Sequence, residues 1–124
     1  MKIVTIIVRV LLGLMFAVLG SNAFFHFMPM PPLSDDPSGR FLGALAATGY
    51  LEAIAAFQVV GGLLLVIGRF VPLGLTLLGP VIVNIVFFHI FMDRTGLGMA
   101  AVVSLLSLFL VWRYRDAFAG LLRA

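Results

Sequence analysis

The chain contains no cysteine. Disulfides, thiolate nucleophiles and thiol metal ligands are excluded with it, and so is the thiol oxidoreductase chemistry carried by some small four-helix membrane proteins. Charge is scarce as well: 10% of the 124 residues are Asp, Glu, Lys or Arg, while 63% are hydrophobic. A soluble domain of this length needs a far more ionic surface, so soluble fold classes are excluded too. The net charge of +3 is spread singly over helix ends rather than gathered into a patch, which argues against a nucleic-acid partner.

What is present is four long apolar runs, roughly 3–27, 51–67, 70–92 and 97–112, each close to the ~20 residues that carry a helix across a bilayer. They predict an all-α membrane protein, one transmembrane domain over 1–124 built as a four-helix bundle in contact with lipid. The first run is too long for a signal-peptide core and holds Arg9, so we expect a retained span. Lys2, Arg69, Arg113, Arg115 and Arg123 fall on one side with Arg9 close to it. The opposite loops hold Arg40 and Arg94 beside Asp35, Asp36 and Asp93. By the positive-inside rule both termini are cytoplasmic.

Between the first two spans, Met28 to Pro37 holds four prolines, which favour a stiff extended path. Arg40 to Thr48 follows as short helix material, broken by Gly49 and too short to span, and is expected to lie at the interface. Gly13, Ala17 and Gly20 recur on one side of the first span and Gly61-Gly62 sit in the second, so backbones can approach closely there. Pro80, mid-way along the third span, frees the carbonyl of Thr76. Such groups are tolerated when buried against protein, so this face of the helix is expected to look into the bundle with Asn84.

The polar residues are few and arranged alike twice. Asn22-Ala-Phe-Phe-His26 closes the first span, and Asn84 with Phe87-Phe-His89 closes the third. Counted inward from the external interface, Asn22, Gln58 and Asn84 fall roughly 7 to 12 Å deep, with His26, Glu52 and His89 at or just under the surface. Three functions fit these candidates. His26, His89 and Glu52 offer ligand types that suit zinc, without the tight spacing of a known motif. A quinone headgroup could hydrogen-bond to the histidines and amides. A partner protein could dock on the external loop.

The plainer reading makes the amides interhelical glue, the histidines interfacial belt residues and Glu52 an exposed interfacial carboxylate. Arg9, about two turns in, either snorkels to the headgroups or turns inward to an acceptor.

The run Arg9-Val-Leu-Leu-Gly-Leu-Met-Phe16 with Gly20, then Gly49-Tyr-Leu51, Gly61-Gly-Leu-Leu-Leu65, Arg69-Phe-Val-Pro-Leu73 and Pro80-Val-Ile-Val-Asn-Ile-Val-Phe-Phe-His89, resembles the DoxX-like membrane proteins. The resemblance extends over nearly the whole chain, including Phe27-Met-Pro-Met-Pro-Pro32. It implies a four-helix bundle of the bacterial inner membrane. Family members are linked to quinone-coupled sulfur oxidation or to oxidative-stress complexes, and distant eukaryotic relatives to assembly or cargo reception. This chain departs from the pattern at Gln58, where many members have glutamate, and at Asn22, where many have lysine. Neutral amides replace an acid–base pair, which argues against proton chemistry. The expectation is therefore a non-catalytic accessory or binding subunit, working with a membrane-protein partner or as a homo-oligomer. The alternative is a quinone-interacting redox component using His26 and His89, since no haem or flavin motif supplies electrons from the chain itself.

Overall fold

A computed structural model describes residues 2–28 and 32–122. Pro29, Met30 and Pro31 of the proline-rich loop, and Arg123 of the cationic set, lie outside the described residues. Helix α1 is Lys2–Phe25, α2 Pro37–Thr48, α3 Tyr50–Ile67, α4 Val71–Phe91, α5 Leu97–Arg113 and α6 Arg115–Phe118; 3-10 turns cover Arg94–Gly96 and Ala119–Leu122. The described residues contain no strand. Helices α1, α3, α4 and, with its preceding turn, α5 are each long and apolar enough to cross a membrane. They match the four expected spans to within about two residues at most ends.

The spanning helices form a ring in chain order, α1 beside α3, α3 beside α4, α4 beside α5, and α5 closing back on α1. One leucine from each, Leu12, Leu65, Leu78 and Leu110, is fully buried at its centre. Gly61 and Gly62, adjacent on α3, serve two different neighbours. A Cβ on Gly62 would stand 2.6 Å from the Gly13 carbonyl oxygen of α1, and one on Gly61 would stand 2.8 Å from Leu78 Cγ and 3.1 Å from the Gly74 carbonyl oxygen of α4. Further along the α1–α3 seam, a Cβ on Gly20 would stand 2.9 Å from Gln58 Cβ. Two residues apart by one on a helix point about 100° away from each other, so a glycine pair lets α3 press its bare backbone on both flanks.

Tight corners join the helices. Gly68 (φ 82°) ends α3, and Phe70 (φ 54°) turns into α4 with Pro72 in its first turn, where a missing N–H costs nothing. Helix α2 starts three residues earlier than expected. Asp36 caps it, accepting from the Gly39 N–H, and Pro37 is its first residue, so the fourth proline of the loop opens a helix instead of extending a strap. Gly49 in the left-handed conformation (φ 80°) alone separates α2 from α3. Phe41 of α2 meets Phe88 of α4 with ring centroids 5.9 Å apart, which lays α2 over one end of the bundle.

The expectation for α4 is overturned in one respect. The helix runs unbroken through Pro80, but Thr76, Pro80 and Asn84 are all exposed on its outer face. Pro80 lies about 200° around from core-facing Leu78 at 100° per residue. The polar face of α4 looks out of the bundle, because Gly74, Leu75, Leu78 and Ile82 claim the inner one.

The seam makes a definite prediction. Gly62→Val in the detergent-purified chain should lower thermal stability by ~1–3 kcal/mol or more, because the clash is with backbone. Gly79→Ala on α4, where a Cβ meets nothing within 4 Å, should leave stability unchanged or raise it by about 0.5–1 kcal/mol.

Candidate functional site

The sequence candidates have different surroundings in the structure. Asn22 is buried, and its Oδ1 accepts a 2.8 Å hydrogen bond from the Met28 N–H. It thereby fastens the chain where α1 ends. His26 lies just past that end in the left-handed conformation (φ 52°), with its N–H donating to the Asn22 carbonyl at 2.9 Å and its side chain exposed. Asn22 and His26 are therefore parts of a helix stop, where the backbone reverses its twist at His26.

His89 has a different task. It is still helical and half-buried; its Nδ1–H donates to the Asp93 carbonyl at 2.9 Å, its ring stands edge-on to Phe88, and it packs against Gly96. It braces the turn between α4 and α5, where any side chain at position 96 would collide with the imidazole. Asp93 completes that turn by accepting from the Thr95 N–H and hydroxyl. The Thr95 hydroxyl, followed by the Thr95 N–H, holds the Asp93 carboxyl below its ordinary pKa. The two Phe-Phe-His stretches, alike in sequence, thus end their helices in unlike ways.

Gln58 is half-buried on the α1–α3 seam above Gly20. Asn84, by contrast, is exposed on the outer wall, its Nδ2 donating to the Pro80 carbonyl at 2.8 Å. Thr76 likewise turns its hydroxyl back to the Pro72 carbonyl at 2.8 Å. Pro80 has no N–H for the Thr76 carbonyl. The outer face of α4 therefore presents acceptors at mid-span, the Thr76 carbonyl and the Asn84 side-chain oxygen. Beside it, between α4 and α5, runs an apolar cleft of about 310 Å³ lined by Gly79, Ile82, Val83, Ser104, Ser107 and Leu108 among others. Both serine hydroxyls are spent on their own helix, at the Ala100 and Ser104 carbonyls.

Glu52 corrects another expectation. It is half-buried in the first turn of α3, and its Oε2 is buried with no hydrogen-bond partner. A carboxylate there faces the free N–H groups at the positive end of the helix dipole. Arg9 stands at the other end of the same helix. Its guanidinium lies flat against Gly68, whose Cβ would be 2.9 Å from Cζ and from both terminal nitrogens. Arg9 has turned inward to the negative end of α3 rather than snorkelled away. Among the described residues no group of three His, Asp or Glu is placed to hold a metal ion.

No family model, curated protein or solved structure matches the chain.

At the α2 end, Asp36 accepts from the Ser34 and Ser38 hydroxyls, each at 2.7 Å, and from the Gly39 N–H at 2.9 Å. The Ser34 hydroxyl first, then the Gly39 N–H and the Ser38 hydroxyl, lower its carboxyl from 3.8 to about 2. A depressed carboxyl adds stability above its unfolded pKa, and that contribution is lost as pH falls through the folded value. Carbon-detected NMR titration of Asp36 should therefore give a midpoint near 2, with the first turn of α2 loosening between pH 3.8 and 2. A midpoint at the ordinary value would mean that the cap is not formed.

Proposed function

We propose that the chain is a non-catalytic accessory or binding subunit of a membrane complex, of the DoxX-like kind its motifs resemble, and that the outer face of α4 is where it meets its partner. One observation carries this reading. Asn84 and the Pro80-freed Thr76 carbonyl face away from the bundle at mid-span, where lipid supplies no hydrogen bonds. Polar groups at that depth almost always face protein. A neighbouring helix with a donor at the level of Asn84 satisfies its amide oxygen, a second donor nearer the start of α4 serves the Thr76 carbonyl, and the adjoining α4–α5 cleft accepts that helix's apolar side chains.

The structural tasks of the described polar groups support the binding reading. Asn22 and His26 stop a helix, His89 braces a turn, and Gln58 lies on a packing seam. In this reading the protein sits in a bacterial inner membrane with the end where α1 begins and α5 finishes in the cytoplasm. The distribution of charge supports that orientation: Lys2, Arg9, Arg69, Arg113 and Arg115 lie at that end, and Arg40 and Arg94 are offset by Asp35, Asp36 and Asp93 at the other.

After mild extraction from native membranes the chain should migrate in an assembly larger than its own micelle. Asn84→Leu should weaken that association about 3- to 20-fold, the equivalent of ~0.6–1.7 kcal/mol for one interhelical hydrogen bond, with the melting temperature of the isolated chain unchanged. Migration of the wild type only as a monomer, or an assembly indifferent to Asn84→Leu, would count against the proposal.

A further inference from the structure

At the end of the bundle opposite α2, the first turns of α1 and the last turn of α5 enclose a cleft of about 270 Å³ lined by Lys2, Thr5, Ile6, Arg9, Arg113 and Tyr114. Of the described residues that line it, Lys2, Arg9 and Arg113 are cations and none is an acid. Asp116, the nearest acidic residue in sequence, is exposed on α6 and does not line it, Arg69 is exposed in the α3–α4 corner, and Arg115 stands 5.1 Å from the Trp112 ring. Among the described residues no arginine or lysine forms an ion pair with a carboxylate.

The cations are held in place rather than left to spread. Arg113 Nε donates to Thr5 Oγ1 at 3.0 Å, a bond between residues 108 apart in the chain, and Thr5 is itself buried. Arg9 is pinned by its flat contact with Gly68, and its Nε is buried without any hydrogen-bond partner. Burying a guanidinium N–H without an acceptor is unfavourable, so a bound acceptor beside Arg9 is stabilising. Like charges converging on one cleft repel each other until an anion joins them.

We propose that this cleft is a phosphate-binding site, in which Arg9 and Arg113 supply fixed charge-assisted donors and Lys2 a mobile one. Guanidinium groups match phosphate oxygens in geometry. The position suits the chemistry, because Lys2 begins one apolar helix long enough to span and Arg113 ends another, the ends of such helices being where headgroups are met. Ile6 in the cleft wall continues into the exposed Ile3 and Ile7 of α1, along which an acyl chain can run. A basic pocket between transmembrane helices is a recurrent way of holding an anionic lipid headgroup. The same donors would take a free phosphate ion.

The test separates the two sources. The full chain in detergent is titrated with inorganic phosphate while its melting temperature is followed. The same chain is reconstituted in phosphatidylcholine vesicles holding a minority of phosphatidylglycerol, and retained lipid is read by native mass spectrometry. Enrichment of phosphatidylglycerol on the protein identifies a headgroup ligand, and a rise in melting temperature with phosphate identifies the free ion. Whichever signal is seen should fall about 10-fold in Arg9→Gln and in Arg113→Gln, the scale of a lost charge-assisted hydrogen bond. Because Arg9 also packs on α3, exposed Lys2 provides a variant that leaves folding intact: Lys2→Gln should weaken binding several-fold at unchanged melting temperature in ligand-free detergent. No binding of either ligand by the wild type would overturn the proposal, as would equal binding in the wild type and Lys2→Gln.

Discussion

The structure depends on one pair of residues, Gly61 and Gly62, which let α3 lay bare backbone against α1 on one flank and α4 on the other. In lipid no hydrophobic effect draws helices together, so close van der Waals packing and polar contacts must do it. The glycine pair supplies that closeness on two sides of α3 at once. Register follows from it: Gly13 opposite Gly62 sets Gly20 against Gln58 in one direction and Arg9 against Gly68 in the other. The four fully buried leucines, one from each spanning helix, belong to the core that these helices enclose.

Once the interior is filled by leucine, valine and glycine, little room is left in it for chemistry. The polar groups are displaced to three kinds of place. Some end helices, as Asn22 and Asp36 do. Others answer the dipole of α3, with Glu52 in its first turn and Arg9 over its last residues. A third set faces outward, as Thr76 and Asn84 do on α4. An apolar core with polar groups on its wall and rim is the physical basis for the proposal that the protein acts as a binding subunit.

The legible part of this fold was that fixed by length and by side-chain size. Four spans follow from hydropathy alone, and the Gly13, Ala17, Gly20 face and the Gly61-Gly62 pair were visible as small residues at helical spacing. The start of α2 was readable in the Asp36-Pro37 pair, a cap followed by a first-turn proline, but the preceding prolines made it look like loop. The direction of Asn84 was also within reach. Gly74, Leu75, Leu78 and Ile82 mark an inner face that leaves Pro80 and Asn84 opposite, yet the expectation rested on where freed carbonyls are tolerated in a complete assembly. The left-handed backbone at His26 was not readable, since nothing marks a histidine for positive φ. Nor was the cationic cleft, because Thr5 and Arg113 are joined only by the closing of the ring.

The central claim is that the outer face of α4 is covered by protein in the native membrane. Photolabelling with a lipid-soluble diazirine, with adducts mapped by mass spectrometry, reads this directly and needs no substitution. In native membranes residues 76–87 of α4 should be protected, while Ile7 and Leu11 on the exposed side of α1 are labelled. In the purified chain reconstituted alone, both faces should label equally. Labelling of the α4 face in native membranes as heavy as that of α1 would contradict the account.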